Sequence, residues 1–265
     1  MMTNDRLKIE YDLTFATPFH CGTGIREGLI DRTVVRDDGG YLYVPGSTIK
    51  GVLRERCEQL ERFYEGDDVR ERGVASPHDA KAALQGLGNN RPSMVTRIFG
   101  SQNMPGRLFF DDARQGKDDL LQYDSQERGG EGKYKSLQVN VSTQVRLDRP
   151  TRTAVQGALY TSEFGASDIV FKGTILGWLE CTAIDYSVAH SEQERHPDTA
   201  PTYSLLLLLA GLQMLEWIGG NKSTGKGHCA CRITGIEING VAVKQDMWQS
   251  WLDQLDTLTK YNGEG

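Results

Sequence analysis

Several classes of protein are excluded by what the chain has little of. Five cysteines in 265 residues make an odd number without a regular framework, which argues against the disulfide scaffold of a small secreted domain. Cys21, Cys57, Cys181, Cys229 and Cys231 fall within apolar strand or helix patterns, as reduced core thiols do. His20-Cys21 and His228-Cys229-Ala230-Cys231 offer possible ligands, but no CxxC pair exists and no structural zinc is expected. Long apolar runs are missing too. The longest, Leu205 to Leu212, is far short of the roughly 20 residues that span a bilayer. No apolar signal segment opens the sequence, so a cytoplasmic protein without a membrane partner is expected. Positive charge is not in excess: 30 Lys and Arg stand against 36 Asp and Glu, a formal net charge of −6. Such a chain does not coat nucleic acid by electrostatics alone, although basic groups can gather on one face.

What is present is the balance of an ordinary globular protein, with 38% hydrophobic and 25% charged residues. A single domain over residues 1–265 is expected. Leu7 to Thr14 alternates with period two and predicts a half-buried strand. Tyr41 to Val44 predicts another, broken by Pro45-Gly46. Ser47 then sits where a helix N-cap is wanted, ahead of Ile49, Val52, Leu53, Cys57 and Leu60 at helical spacing. That helix runs from about Thr48 to Tyr64. A polar stretch from Gly66 to Pro92 reads as an insertion reaching to about residue 106, with Ser76-Pro77 as the start of a short helix to Leu84.

Gly106 to Ala113 predicts a central strand, followed by a Gly- and charge-rich loop to Lys135. Leu137 to Phe164 alternates Val, Ser, Thr and Arg around Asp148-Arg149-Pro150-Thr151-Arg152, which predicts a long hairpin over about residues 137–164. Ile169 to Thr182 predicts a strand, Tyr203 to Ile218 an apolar helix, Gly219 to Gly227 a glycine-rich loop, and His228 to Ile238 a closing strand. Met247, Trp248, Trp251, Leu252, Leu255 and Leu258 recur at helical spacing, predicting an amphipathic helix over about 245–260 that packs on its own domain. The order strand, helix, strand, strand, helix, strand is that of an α+β ferredoxin-like fold, an antiparallel sheet with two helices on one face. RNA-recognition modules share this scaffold. No strand carries their aromatic-rich signature, so RNA recognition would come from loops and the hairpin.

Two segments carry chemistry. In GLIDRTVVRDDGGYLYVPGSTIKGVLR, residues 28–54, a lone Asp31 lies on a loop before a turn that opens a basic helix. The first turn of that helix, with Ser47, Thr48, Lys50 and Arg54, makes a ready phosphate site. A solvated helix face is the competing reading, because Arg56, Glu58, Glu61 and Arg62 continue with mixed charge. One carboxylate suffices for cutting RNA, since a positioned ribose 2′-hydroxyl is itself the nucleophile. The second segment, Gly220-Asn-Lys-Ser-Thr-Gly225-Lys226-Gly227, nearly spells the phosphate loop of ATPases. It fails because Gly227 replaces the hydroxyl residue and because it leaves a helix and enters a strand. Lys222, Ser223, Thr224 and Lys226 among backbone N–H groups still suit RNA phosphates.

These segments resemble the RAMP superfamily of CRISPR systems. VPGSTIKGVLR is similar to the family's PGSSLKGxxR, Ile30-Asp31 to Asp37 to its IDxPVIRD, and Gly219 to Gly227 to its GGxxSxGKG. Pro18-Phe-His-Cys-Gly-Thr-Gly24 resembles its PLHIGSG, Arg97-Ile-Phe-Gly100 its LFG element, and Arg146-Leu-Asp-Arg149 with Gly157-Ala-Leu-Tyr160 its IDRxTG…GAL hairpin. The resemblance, to a type III backbone subunit of the Csm/Cmr kind, spans residues 7 to 238. It implies a crRNA-binding subunit that stacks with copies or homologues of itself and other effector subunits, and meets a complementary target RNA. The hairpin would be a thumb that wedges between paired bases, with Arg146, Arg149, Thr151 and Arg152 at its RNA contacts. His20, Gly22, Thr23 and Gly24 would line the guide. Asp31 falls on the family's catalytic aspartate, and a divalent ion, magnesium or manganese, is implied for the cut with Asp31 as its candidate ligand. Asp37 and Asp38 stay open as helpers. Two alternatives remain at this stage: a structural subunit that binds guide RNA without cutting, and a precursor-processing endonuclease using His20 or His228.

Overall fold

The computed structural model describes residues 5–65, 93–101, 104–117, 119–120, 138–181 and 201–261. The short helix expected over 77–84 and most of the charge-rich segment before Lys135 lie outside them. The opening strand, β1 (Asp5–Phe15), is central. Its residues Leu7, Ile9, Tyr11, Leu13 and Phe15 are at most 1% exposed, while Lys8, Glu10 and Asp12 face the other way, the period-two pattern of a sheet with one wet face. It pairs antiparallel with β7 (Val170–Leu179) on one side and β8 (Cys229–Ile238) on the other. The edges are β2 (Tyr43–Val44), β3 (Leu108–Phe110), β4 (Ala113–Arg114) and β9 (Val241–Ala242), in the order β2-β4-β7-β1-β8-β9 with β3 also beside β7. Helices α1 (Gly46–Glu65) and α3 (Tyr203–Gln213) pack against each other on the inner face. A Cβ on Gly211 would sit 2.6 Å from Cys57 Sγ, so glycine there lets the two helices touch closely. This is the antiparallel α+β sheet with helices on one face that the strand–helix order predicts.

Four expectations about elements are corrected. The strand expected as central over 106–113 is split into β3 and β4 and lies beyond β7. Asp112 between them turns away to accept the Gly46 N–H at 3.0 Å through Oδ1. α1 therefore starts at Gly46, with Ser47 inside its first turn and the Asp112 carboxylate as the cap expected of Ser47. α3 ends at Gln213 rather than Ile218, because Trp217 pairs with His228 as an isolated bridge and Cys229 N–H donates to Glu216 O at 2.8 Å. The C-terminal helix is also shorter than expected: α4 (Gln245–Leu252) gives way to a 3-10 stretch, Leu255–Lys260, against α1 and α3. Trp248, Trp251 and Leu258 are buried there, so this amphipathic segment docks on its own fold.

Within the expected insertion, α2 (Met94–Phe99) is a core element with Met94, Val95 and Ile98 fully buried. Glu61, read from sequence as part of a charged face, is 0% exposed and accepts the Met94 N–H at 2.6 Å, so it caps α2 from α1. The hairpin forms as β5 (Val139–Asp148) and β6 (Thr153–Gly165), a ribbon exposed over most of its length. Gln138 at its base is fully buried; it exchanges two amide hydrogen bonds with Gln115, at 3.0 and 3.2 Å, and accepts the Leu42 N–H at 3.0 Å.

Candidate nucleic-acid interface

Where β1 ends, Phe19 stacks on Phe15 with centroids 3.9 Å apart and exchanges backbone hydrogen bonds with Gly165, at 3.1 and 2.7 Å. A Cβ at position 165 would lie 2.4 Å from the Phe19 ring, so glycine is required where hairpin and sheet meet. From this anchor the chain runs through His20 into the 22–36 loop, which lies along the hairpin's base. Asp31 N–H and Arg32 N–H both donate to Thr161 O, at 2.9 and 3.2 Å, and Glu163 N–H donates to Arg32 O at 2.9 Å. Thr161 N–H returns a bond of 2.9 Å to Asp31 Oδ2. The other oxygen of Asp31 pairs with Arg26 Nη2 at 3.0 Å, an arginine whose side chain is 70% exposed.

The glycine-rich loop reaches the same place from the far side of the sheet. Gly220 N–H donates to His20 O and Gly227 N–H to Pro18 O, both at 2.9 Å. Arg32 Nη1 donates to Asn221 Oδ1 at 3.2 Å and links the aspartate loop to it. Lys226 Nζ lies 5.2 Å from the centroid of the Phe164 ring on the hairpin. The loop's own backbone is largely turned inward: the N–H groups of Thr224, Gly225 and Lys226 bond Asn221 or Lys222 carbonyls. Phosphates would therefore meet the side chains of Lys222, Ser223, Thr224 and Lys226 more than the free N–H groups expected from the glycine pattern.

Beneath these loops lies a polar floor that the sequence did not reveal. Glu163 is 5% exposed, and its carboxylate takes Arg36 in a bidentate pair at 2.9 and 3.0 Å plus the Val34 N–H at 3.1 Å. His20 is 6% exposed, and its Nδ1–H donates to Glu163 O at 2.8 Å. Burial, opposed by that hydrogen bond and reinforced by nearby Arg32, holds the imidazole pKa below its usual value. With Nδ1 carrying the hydrogen, neutral His20 keeps Nε2 as an acceptor. Thr23 and Thr33 hydroxyls share a hydrogen bond of 2.6 Å beside Gly22 and Gly24.

The expected residues fall into three places. His20, Gly22, Thr23, Gly24, Asp31, Gly220, Lys222, Ser223, Thr224 and Lys226 are brought together by the convergence just described. Arg146, Arg149, Thr151 and Arg152 stand at the hairpin's outer end, where Asp148 Oδ2 accepts the Thr151 hydroxyl at 2.5 Å. From Arg152 to Thr161 is on the order of 30 Å along an extended strand. Ser47, Thr48, Lys50 and Arg54 form a third group on α1. Arg54 is already engaged, with Glu58 at 2.9 Å and Gly100 O at 3.2 Å, and it ties α1 to the turn after α2. Lys50 lies over the Phe110 ring at 5.7 Å. The cap from Asp112 puts a carboxylate where a phosphate was expected at the helix start.

For metal chemistry the expected ligand is Asp31, and Glu27, Asp37 and Asp38 line a pocket of the same loop. Among the described residues no three His, Cys, Asp or Glu side chains gather. All five cysteines are free and buried, and burial pushes the Cys21, Cys229 and Cys231 thiols up to about 12, away from the thiolate a zinc ion takes. Magnesium keeps several waters and takes one or two carboxylates together with substrate phosphate oxygens; to serve as such a ligand Asp31 would have to turn Oδ1 from Arg26, since Oδ2 is held by Thr161 N–H.

Residues 12–230, most of the chain from the end of β1 to the start of β8, match the family model of the RAMP superfamily. The chain belongs to the RAMP superfamily. Its fold is also that of two solved structures, type III-B Cmr-beta bound to cognate target RNA and Cmr-beta in the apo state. Both have a TM-score of 0.50 and 14% identity, covering 85% and 86% of this RAMP chain and 96% and 97% of the matched chains. No curated protein matches the sequence. Among the described residues of this RAMP protein, no helix is long and apolar enough to cross a membrane.

Proposed function

We propose that this RAMP protein is a crRNA-binding backbone subunit of a cytoplasmic type III CRISPR effector complex, and that it cuts complementary target RNA beside Asp31. The observation that carries the reading is the double hydrogen bond between Asp31 and Thr161, which fixes the acidic loop to the root of the hairpin. A strand distorted by the hairpin is thereby presented to that carboxylate at a set distance. Guide phosphates would be held by Lys222 and Lys226, with Lys50 on α1 beside the occupied helix start, and other RAMP subunits or copies of this chain would continue the guide path. The motif resemblance and the fold shared with a Cmr-beta subunit, itself bound to target RNA, support the same assignment.

Chemically, the ribose 2′-oxygen attacks the adjacent phosphorus, the bond from phosphorus to the 5′-oxygen of the next nucleotide breaks, and that oxygen takes a proton from solvent water, giving a cyclic phosphate and a free 5′-hydroxyl. The Asp31 Oδ1 side is the one that can receive the 2′-hydroxyl proton, because its partner Arg26 is exposed and such surface pairs contribute only about 0–1 kcal/mol. Oδ2 stays on Thr161 N–H and keeps the carboxylate oriented. A bound magnesium or manganese ion would neutralise charge developing on the phosphate. Arg32, one residue away and half-buried, holds the glycine loop in register through Asn221.

In the assembled complex, Asp31→Asn keeps an oxygen for Thr161 N–H, so it should retain guide RNA and thermal stability yet lose target cutting at every interval. Full cutting by that variant would remove Asp31 from the chemistry. A non-catalytic subunit is the second reading, and it is favoured by the engagement of both Asp31 oxygens; Arg26→Ala separates the two, since a working carboxylate should cut at least as fast when Oδ1 is released. Processing of precursor RNA by this chain alone would have to use the exposed His228, because His20 is buried with Nδ1 committed to Glu163 O.

A further inference from the structure

The outer face of the sheet, opposite the helices, holds a second group of RNA-suited side chains at the end of β1 remote from Asp31. Phe109 on β3 is 60% exposed and Trp178 on β7 is 51% exposed. Phe109 pairs with Leu176, two residues from Trp178 on the same strand face, which sets the rings as diagonal neighbours about 7–8 Å apart in backbone terms. Gly177 makes this possible: a Cβ there would lie 2.1 Å from Arg107 O, and its positive φ of 149° lets β3 close onto β7. Arg6, the register partner of Trp178, and Arg107, whose carbonyl accepts the Trp178 N–H at 3.2 Å, are exposed and flank the rings. Among the described residues neither guanidinium has a carboxylate partner, whereas Lys8, further along β1, is shared by Glu10 and Glu237.

Two exposed aromatic rings with two guanidinium groups that have no carboxylate partner among the described residues, on a chain of net charge −6, suit a polyanion whose planar groups stack. The apolar part is only Phe109, Trp178 and partly buried Leu176, too little for the apolar core of a stable protein interface. We infer that this end of the open sheet face binds an unpaired stretch of RNA, stacking bases on Phe109 and Trp178 and placing phosphates at Arg6 and Arg107. The inference does not require Asp31 to be catalytic.

The test uses the full chain with a ten-nucleotide uridine oligomer carrying 4-thiouridine. Irradiation should give adducts on the peptides holding Phe109 and Trp178. Trp178→Ala and Phe109→Ala, both at exposed positions and expected to leave the melting temperature unchanged, should each weaken this binding roughly five- to a hundredfold. Arg6→Gln with Arg107→Gln should lower the slope of log affinity against log salt by about 0.7 per lost phosphate contact. Adducts confined to the 220–227 loop and the hairpin, with affinity unchanged in the aromatic variants, would overturn the inference. So would an aromatic double variant that binds the oligomer normally but no longer holds a protein subunit, since the face would then be a protein contact.

Discussion

At the junction of loop and hairpin, the Glu163 carboxylate is held by Arg36 and the Val34 N–H with side chains 7% and 8% exposed. Removing one partner leaves the other charge buried, a change that costs about 3–5 kcal/mol. Glu163→Ala should therefore lower the unfolding free energy by that amount, seen as a lower urea midpoint, and release the 22–36 loop to proteolysis. His20 supplies a pH signature. Its folded-state pKa lies below 6.5 because burial disfavours the imidazolium, so the unfolded chain takes the proton first as pH falls. Its contribution is complete above pH 6.5 and is lost as pH falls through the lowered value; melting temperatures measured between pH 7 and 5 should fall more steeply for the parent chain than for His20→Gln. These two residues mark the limit of reading at this scale. Asp31 and the lysines of the glycine loop stood out through their local motifs. The partners of Glu163 lie 127 and 129 residues away, and no local pattern encodes such a pair.

Among elements, the alternation in β1 and the apolar spacing in α1 and α3 were legible because each answers to a period of two or 3.6. The breaks were not. α3 stops early and β3–β4 splits because tertiary partners, His228 for Trp217 and Gly46 for Asp112, outbid local propensity. Glu61 follows the same rule, a charge placed inside to cap a neighbouring helix. Glu61→Ala should expose two buried N–H groups to no acceptor, cost about 1–3 kcal/mol, and show as faster amide exchange at Met94 and Val95. The ribbon of β5 and β6 is separable beyond the pair Val145↔Leu159. Replacing residues 146–158 with Asn-Gly, which suits a two-residue hairpin turn, should leave the unfolding free energy within about 1 kcal/mol of the parent's. In the assembled complex the same change should abolish regularly spaced target cutting while the guide stays bound.

For the whole molecule, the antiparallel sheet with helices on one face was legible from the succession of elements, whereas the place of each strand was not: the stretch expected at the centre, 106–113, lies beyond β7 and β1 takes the middle. The convergence of four segments near Asp31 was only half deducible: the motifs named the segments, while of the residues that fasten them Arg32 and Asn221 fall on unspecified positions of their motifs and Thr161 lies outside any. With net charge −6, the isolated chain should bind guide RNA weakly and with steep salt dependence; tight binding at 0.2 M salt would show that no assembly is needed. The shared bonds of Thr161 carry a further consequence for anyone building hybrids of this protein. Hairpin and acidic loop are one mechanical unit, so grafting a foreign hairpin without the segment 26–36 that rides on it would misplace the carboxylate, whereas moving both together would carry its position along as a ready-made ruler.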